Sequence, residues 1–488
     1  MKRRVMGILL LVTLLAATGC STTETETETQ TSTQTETDVQ EMVDPLQAEY
    51  DALTVEDYGG YTFRIMNSPS NFAYSDVVVE ELTGEALNDA VYNRNLAVCD
   101  ALNIQLTMTE GQWLDGINMA RSFILANSDE FDIVCNEAAL ISPLAVEGLL
   151  QDANAIDTLH LGGTWWDQNA IESANLGEHV YLMWGDMHLM LYECYYPTVC
   201  NKTMIENVGL DDLYPVVREG KWTFDLMHTY MESAWQDVNG DGSYKIGDDQ
   251  FGLAIQDHGT TSFLVAGGVT LFTKDSDNLP EFTGLTESYE AVFSKLGSTI
   301  FGNKDNLLRA STPMSISTTE EPVHAGFGIG ASMFYVEPLG SIKKFRDVDF
   351  EVGLLPMPKF DEAQTEYISY IYHGADAVTI PVTNGQTDRT GVILEMFGAK
   401  SRQLMRSVYF DTTLDFKYIQ DQESSEMMDI MFSSGVFDLG SIYGWGNATT
   451  TAYQQLLNQN TDIASKLQAL SSATEAEVAQ TIEAYTAH

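Results

Sequence analysis

The sequence predicts an α/β protein built as two lobes, with the chain crossing between them more than once. Three observations carry this. Runs of strand length alternate with segments of helical spacing from Tyr61 to Ile380. Several runs, Phe131-Asp-Ile-Val-Cys135 among them, are nearly continuously apolar, as strands covered on both faces are. Strand-like runs return late, at Phe350–Leu355 and Asp376–Ile380, after a long α/β stretch has already passed.

In order, Tyr61–Ile65 alternates like a strand and ends at Met66-Asn67-Ser68-Pro69. Leu87–Asp100 has helical spacing, and Ile104–Met108 reads as a second strand. Leu114, Ile117, Ala120 and Ile124 mark a helix, Phe131–Cys135 a strand and Ala138–Leu150 a helix. Val180–Trp184 and Leu189–Val199 read as strands around Gly185-Asp186. Thr223 caps a helix whose apolar stripe is Phe224, Met227, Met231, Ala234 and Trp235. Phe251–Ile255 is a strand, and Ser262–Phe272 and Tyr289–Ile300 are helices. Ala325-Gly-Phe-Gly-Ile-Gly330 leads into a strand at Ala331–Val336. No helix follows that glycine run, so a nucleotide fingerprint is not supported. From Thr390 the chain is mostly helical, except around Gly435–Gly446.

Charge excludes some partners. The 488 residues carry 24 basic and 71 acidic side chains, a formal charge of −47. Nucleic acid and an anionic membrane face are both disfavoured. Lys2, Arg3 and Arg4 precede an apolar run from Val5 to Ala17 and then Thr18-Gly19-Cys20, the pattern of a secretory signal. Cys20 directly after small residues resembles a bacterial lipoprotein signal, in which it would carry the lipid; an ordinary signal is the alternative. Residues 1–19 are then the signal peptide and 20–49 a tether, rich in Thr, Glu and Gln, that cannot fold. Cys99, Cys135, Cys194 and Cys200 remain, and disulfides and free buried thiols both stay open.

The segment after Trp235 has a spacing of its own. Asp237, Asn239, Asp241 and Asp248 fall at loop positions 1, 3, 5 and 12, with Gly242 at 6 and the Ser243 carbonyl at 7. This is the spacing of an EF-hand-type calcium loop, with Asp in place of the usual Glu at position 12. It sits between a helix and a strand, which favours a structural ion over a sensor. The alternative is an Asx-rich turn that binds nothing.

Taken together, LNDAVYNRN (87–95), FDIVCNEAALISPLAVEGLLQD (131–152), GGTWWD (162–167), VCNKTMIENVGL (199–210), EGKWTFD (219–225), DVNGDGSYKIGDDQFGL (237–253), FEVGLLPMPKFDEAQTEY (350–367) and GADAVTIPVT (374–383) give a recognisable order. The chain resembles bacterial extracellular solute-binding lipoproteins of ABC importers, in their carbohydrate-binding branch. The resemblance spans about residues 60 to 450 and rests on the order of segments. It implies a two-lobe periplasmic-binding-protein-like fold with crossover hinge strands near Tyr181–Asp186, Phe334–Pro338 and Val378–Pro381. Lobe 1 then takes residues 50–182 with 338–398, and lobe 2 takes 183–337 with 399–488. It further implies a lipid-anchored monomer on the outer face of the membrane, which hands its ligand to ABC permease subunits.

Sugar recognition needs aromatic faces and planar polar groups in a cleft. Candidates after the first strand are Asn67 and Asn71. Asn136 and Glu137 follow the Phe131 strand. Trp184 and Asp186 lie at the first crossover, and Phe334, Tyr335 and Glu337 at the second. Gln256, Asp257 and His258 follow the strand after the calcium loop. Tyr372 and His373 precede a returning strand, and Tyr443 and Trp445 sit in a glycine-rich break. Trp445, between Gly444 and Gly446, is the foremost stacking candidate. The rival readings are a secreted glycoside hydrolase, which needs two carboxylates across a sugar bond, and a calcium-dependent lectin. The sequence has no G-x-S-x-G, H-E-x-x-H or C-x-x-C signature of another chemistry.

Overall fold

Apolar runs become strands where neighbours on both sides can take their backbone hydrogen bonds. This chain gathers most of its runs into two larger sheets, beside two strand pairs, Phe272–Lys274 with Pro280–Phe282 and Ser369–Ile371 with Gly435–Phe437. The computed structural model describes residues 45–68, 77–413, 422–460 and 462–486. Among them the strands, in chain order, are β1 (Tyr61–Asn67), β2 (Ile104–Glu110), β3 (Ile133–Glu137), β4 (Thr198–Asn201), β5 (Phe251–Ile255), β6 (Phe272–Lys274), β7 (Pro280–Phe282), β8 (Leu307–Leu308), β9 (Ser332–Val336), β10 (Val352–Leu355), β11 (Ser369–Ile371), β12 (Asp376–Thr379) and β13 (Gly435–Phe437).

The first sheet has the order β12-β3-β1-β2. β1 runs parallel to β2 and β3, and β12 runs antiparallel to β3 with Asp376 opposite Glu137. The helix Ala86–Leu102 links β1 to β2, and Trp113–Leu125 links β2 to β3. The helix Thr387–Leu404 lies against Ala86–Leu102. The second sheet has the order β10-β4-β9-β5-β8. β5 is parallel to β8 and β9, and β4 is antiparallel to β9 and β10. The helix Phe224–Ala234 packs on β5 and β9, and its Thr223 side chain accepts the Leu226 N–H as the sequence leads one to expect. The body after Pro45 is one compact unit; most of its buried apolar residues form one core through both sheets, and a second, smaller cluster gathers Val91, Leu189, Tyr192, Met405 and Tyr409. No described helix is long and apolar enough to cross a membrane.

Three passes of chain join the sheets, and they are zipped to one another. Met183 and Val378 exchange both backbone hydrogen bonds. Farther along, the Tyr372 N–H donates to the Cys194 carbonyl and the Tyr196 N–H to the Tyr370 carbonyl. β11 pairs in parallel with β13. At Gly435 a Cβ would fall well inside contact distance of the Tyr195 hydroxyl and ring, so only glycine lets the third pass approach the first.

Several expectations need correction. The first pass does start near Tyr181–Asp186. The second is not at Phe334–Pro338, because Phe334 and Tyr335 lie inside β9 of the second sheet. The chain returns through β11 and enters the first sheet at β12, where Val378 is already paired with Cys135. β10 belongs to the second sheet, so 338–355 does not join lobe 1. A strand buried on both faces and a crossing segment have the same apolar signature, which is why the two were exchanged. Leu189–Val199 is not one strand: Met190–Glu193 is a helical turn, Tyr195 forms an isolated bridge to Ile371, and the strand proper is Thr198–Asn201. Burial on every side removes the periodicity that separates these cases. All four described cysteines are free thiols. The paired tryptophans of GGTWWD are structural: Trp165 and Trp166 both donate their indole N–H to the buried Glu395.

Candidate ligand-binding site between the sheets

Open α/β sheets present ligands at the carboxyl ends of their parallel strands. Here such ends come from both sheets and meet at the zipped passes. From the first sheet come Asn136 and Glu137 at the end of β3. Asn136 accepts the Glu137 N–H and donates to the Trp113 carbonyl, and the Trp113 indole donates to Glu137 at 3.1 Å. The next two residues are tied to the second pass: the Ala138 N–H donates to the Ala375 carbonyl and the Ala139 N–H to the His373 carbonyl.

From the second sheet come the ends of β5 and β9. The Gln256 N–H donates to Glu337 Oε1 at 2.9 Å, and His258 Nε2 lies 3.8 Å from Glu337 Oε2. Asp257 pairs with Arg309 at 2.7 Å. Between the two sets stand Tyr372 and His373. The Tyr372 ring lies 5.5 Å from the His258 ring and 4.3 Å from that of His373. His373 Nδ1 is 3.3 Å from the Tyr370 hydroxyl. Glu137, His258, Tyr372 and His373 are half-buried, so solvent reaches the assembly.

The structure therefore brings together Asn136, Glu137, Gln256, Asp257, His258, Glu337, Tyr372 and His373. Asn67 lies buried at the end of β1 beside β3. Asn71 lies outside the described residues, as do Cys20 and the tether up to residue 44.

The other candidates sit elsewhere. Trp184 is buried against Phe437. Asp186 is buried and held by the Tyr192 hydroxyl and Arg402, with Arg406 at 3.8 Å. Phe334 packs on Trp222, and the Tyr335 hydroxyl meets His324. Tyr443 stacks on Trp445 at 4.7 Å, and the Trp445 indole donates to Thr481. Trp445 is only 2% exposed. Gly444 and Gly446 adopt positive φ to turn the chain between helices, which drives Trp445 inward. A buried ring with a neighbour on its face has no surface left to offer a sugar.

One residue was missed. Trp113 is 51% exposed and has φ of +39, unusual for a bulky side chain. It begins a helix of ordinary apolar spacing, and no local signal in the sequence marks its ring as outward.

The expected calcium loop caps its own backbone. Asp237 accepts the N–H groups of Gly240 and Gly242, Asn239 that of Asp241, and Asp241 that of Ser243. Asp248 Oδ1 accepts from the Ser315 hydroxyl. Asp249, next in line, is buried and accepts from Val238 and Lys245. Among the described residues no group of three or more His, Cys, Asp or Glu is placed to hold a metal ion.

No protein-family model and no curated protein matches the chain. Solved structures do. UspC of M. tuberculosis is 13% identical, covering 85% of this chain and 100% of its own, with a TM-score of 0.55. The maltose/maltodextrin-binding domain MalE of Bdellovibrio bacteriovorus, bound to maltotriose, is 12% identical over 86% and 100%, with a TM-score of 0.50. A sugar transporter of Arthrobacter chlorophenolicus A6, with bound laminaribiose, is 12% identical over 86% and 99%, with a TM-score of 0.51. At such identities the likeness establishes the fold: a mixed α/β, two-lobe architecture of the periplasmic-binding-protein kind.

Burial sets the charge at the foot of the site. Desolvation pushes Glu337 up from 4.5 to about 8, against the Gln256 N–H that favours the ionised form. Desolvation also lowers His258, and lowers His373 from 6.5 to about 4. At neutral pH this foot is thus largely uncharged. Glu337 binds its proton more tightly folded than unfolded. Its stabilising contribution is complete below about 4.5 and is lost as pH rises through about 8. His373 has the opposite sign: its contribution is present above 6.5 and is lost as pH falls through about 4. Thermal melting of Glu337→Gln from pH 5 to 9 should show a smaller decline than the wild type, with the variant the more stable of the two at the alkaline end. Parallel curves for the two proteins would contradict the burial argument.

Proposed function

We propose that the chain is an extracellular receptor that captures a neutral carbohydrate between its two sheets and delivers it, unaltered, to the permease of an ABC importer. The observation that supports this best is the uncharged, aromatic-lined foot between carboxylates of a chain that carries a charge of −47. An anionic ligand would be repelled, whereas a sugar loses nothing by approach and finds ring faces and planar polar groups. Receptors of the same fold have been solved with maltotriose and laminaribiose bound. Delivery to a permease, and a lipid on Cys20 that keeps the receptor at the outer membrane face, belong to the same proposal.

One observation favours glycoside hydrolysis as the second reading. Glu137 and Glu337 come from opposite sheets to the same Tyr372, and one of the two is pushed up in pKa. The indole hydrogen bond on Glu137 favours a fixed binding group over a nucleophile.

Calcium in the Asp237–Asp248 loop is the remaining part of the proposal. Its support is the ligand spacing and the left-handed turn at Gly242. Asp248 Oδ1 is taken by Ser315, which leaves Oδ2 to serve.

Two experiments test these points. Titration calorimetry with maltotriose and laminaribiose should give stoichiometric binding with intact sugar recovered, and Trp113→Ala should weaken it by about tenfold with no loss of melting temperature. Release of shorter sugars would select the hydrolase instead. Asp241→Ala should melt lower than the wild type in calcium, and a chelator should erase that difference. Equal melting of both proteins in calcium and in chelator removes the ion from the account.

A further inference from the structure

The foot of the site holds two buried polar groups that the protein leaves incompletely used. Tyr196, on the first pass, is wholly buried, and its hydroxyl has no hydrogen-bond partner among the described residues. Its ring is fixed over the end of the second sheet: a Cβ at Gly259 would lie 3.4 Å from Tyr196 Cε1 and 3.3 Å from the Val336 carbonyl oxygen. Val336 is the residue before Glu337. Glu337 is 4% exposed, with Oε1 occupied by the Gln256 N–H. Its Oε2 is 3.8 Å from His258 Nε2, outside hydrogen-bond reach. A buried hydroxyl is rarely left unmatched, so Tyr196, with the unbonded Oε2 of Glu337 near it, marks a place where something other than the chain completes the bonds.

We propose that Tyr196 and Glu337 are specificity-determining residues that together read one hydroxyl of an uncharged ligand, Glu337 donating through Oε2–H and the Tyr196 hydroxyl supplying the second bond. This rests on the sugar-receptor reading and adds which residues select the ligand. A site built to match a hydroxyl rejects an analogue lacking it far more strongly than an apolar pocket rejects an extra one. The titratable and charged groups around Glu337 are His258 after β5, Tyr196 and Tyr372 on the passes, Tyr335 on its own strand, and Glu321 and Lys344 from the flanking segments. With His258 neutral and Lys344 a minor influence, no cation takes the place of the proton on Glu337.

The test is calorimetry with maltotriose and laminaribiose from pH 6 to 9 on wild type, Tyr196→Phe, Glu337→Ala and Glu337→Gln, with melting curves for each. For the sugar the wild type binds, Tyr196→Phe should weaken affinity about tenfold and Glu337→Ala by more, without loss of melting temperature in the Phe variant. Wild-type affinity should fall as pH rises past about 8. Glu337→Gln, whose amide still donates, should lose less than Glu337→Ala and lose the pH dependence. Equal affinity of wild type and Tyr196→Phe, or an unchanged pH profile in Glu337→Gln, overturns the inference and leaves the receptor reading standing. Failure of the wild type to bind either sugar counts against both.

Discussion

The pairing of the three passes with one another is the constraint on which the rest of the molecule depends. Each pass is buried, so its peptide groups must find partners inside the protein, and they find them in the neighbouring pass. Tyr195 stands opposite Ile371, and Ile371 opposite Phe437. That arrangement aligns the carboxyl ends of β3, β5 and β9 on one side of the passes. It also brings Glu137, His258, Tyr372 and Glu337, far apart in sequence, to one place. The close approach at Gly435 leaves no room for a side chain, so the geometry is set by backbone contact.

Electrostatics then decide what such a place can hold. The chain as a whole is strongly acidic, but burial cancels charge at the foot of the site by holding Glu337 protonated and the two histidines neutral. Toward the rim, Asp257 is matched by Arg309 and Glu137 by the Trp113 indole. A low-dielectric foot strengthens hydrogen bonds to a ligand and raises the penalty for a ligand that cannot make them.

Much of the fold was legible in the sequence, and the reasons for the failures are physical. Strands with two covered faces announced themselves as apolar runs, and the Thr223 cap as a hydroxyl before a periodic stripe. The same apolar signature could not separate β9 from a crossing segment. Residues placed by their position after a strand, such as Asn136, Gln256 and His258, were found together, because strand ends share one edge. The aromatic candidates of the first crossover and of the glycine-rich break were not. Trp184 and Trp445 are large apolar rings whose first use is to fill the core. Trp113, the exposed one, owes its outward ring to a backbone angle that spacing does not record.

The most direct test of the central claim is a crystal structure of the chain grown with maltotriose. The account predicts an intact sugar lodged between the two sheets, in contact with Trp113 and Tyr372 and with a hydroxyl within hydrogen-bond distance of Glu337. A sugar seated on an outer face, or one found cleaved between Glu137 and Glu337, would contradict it.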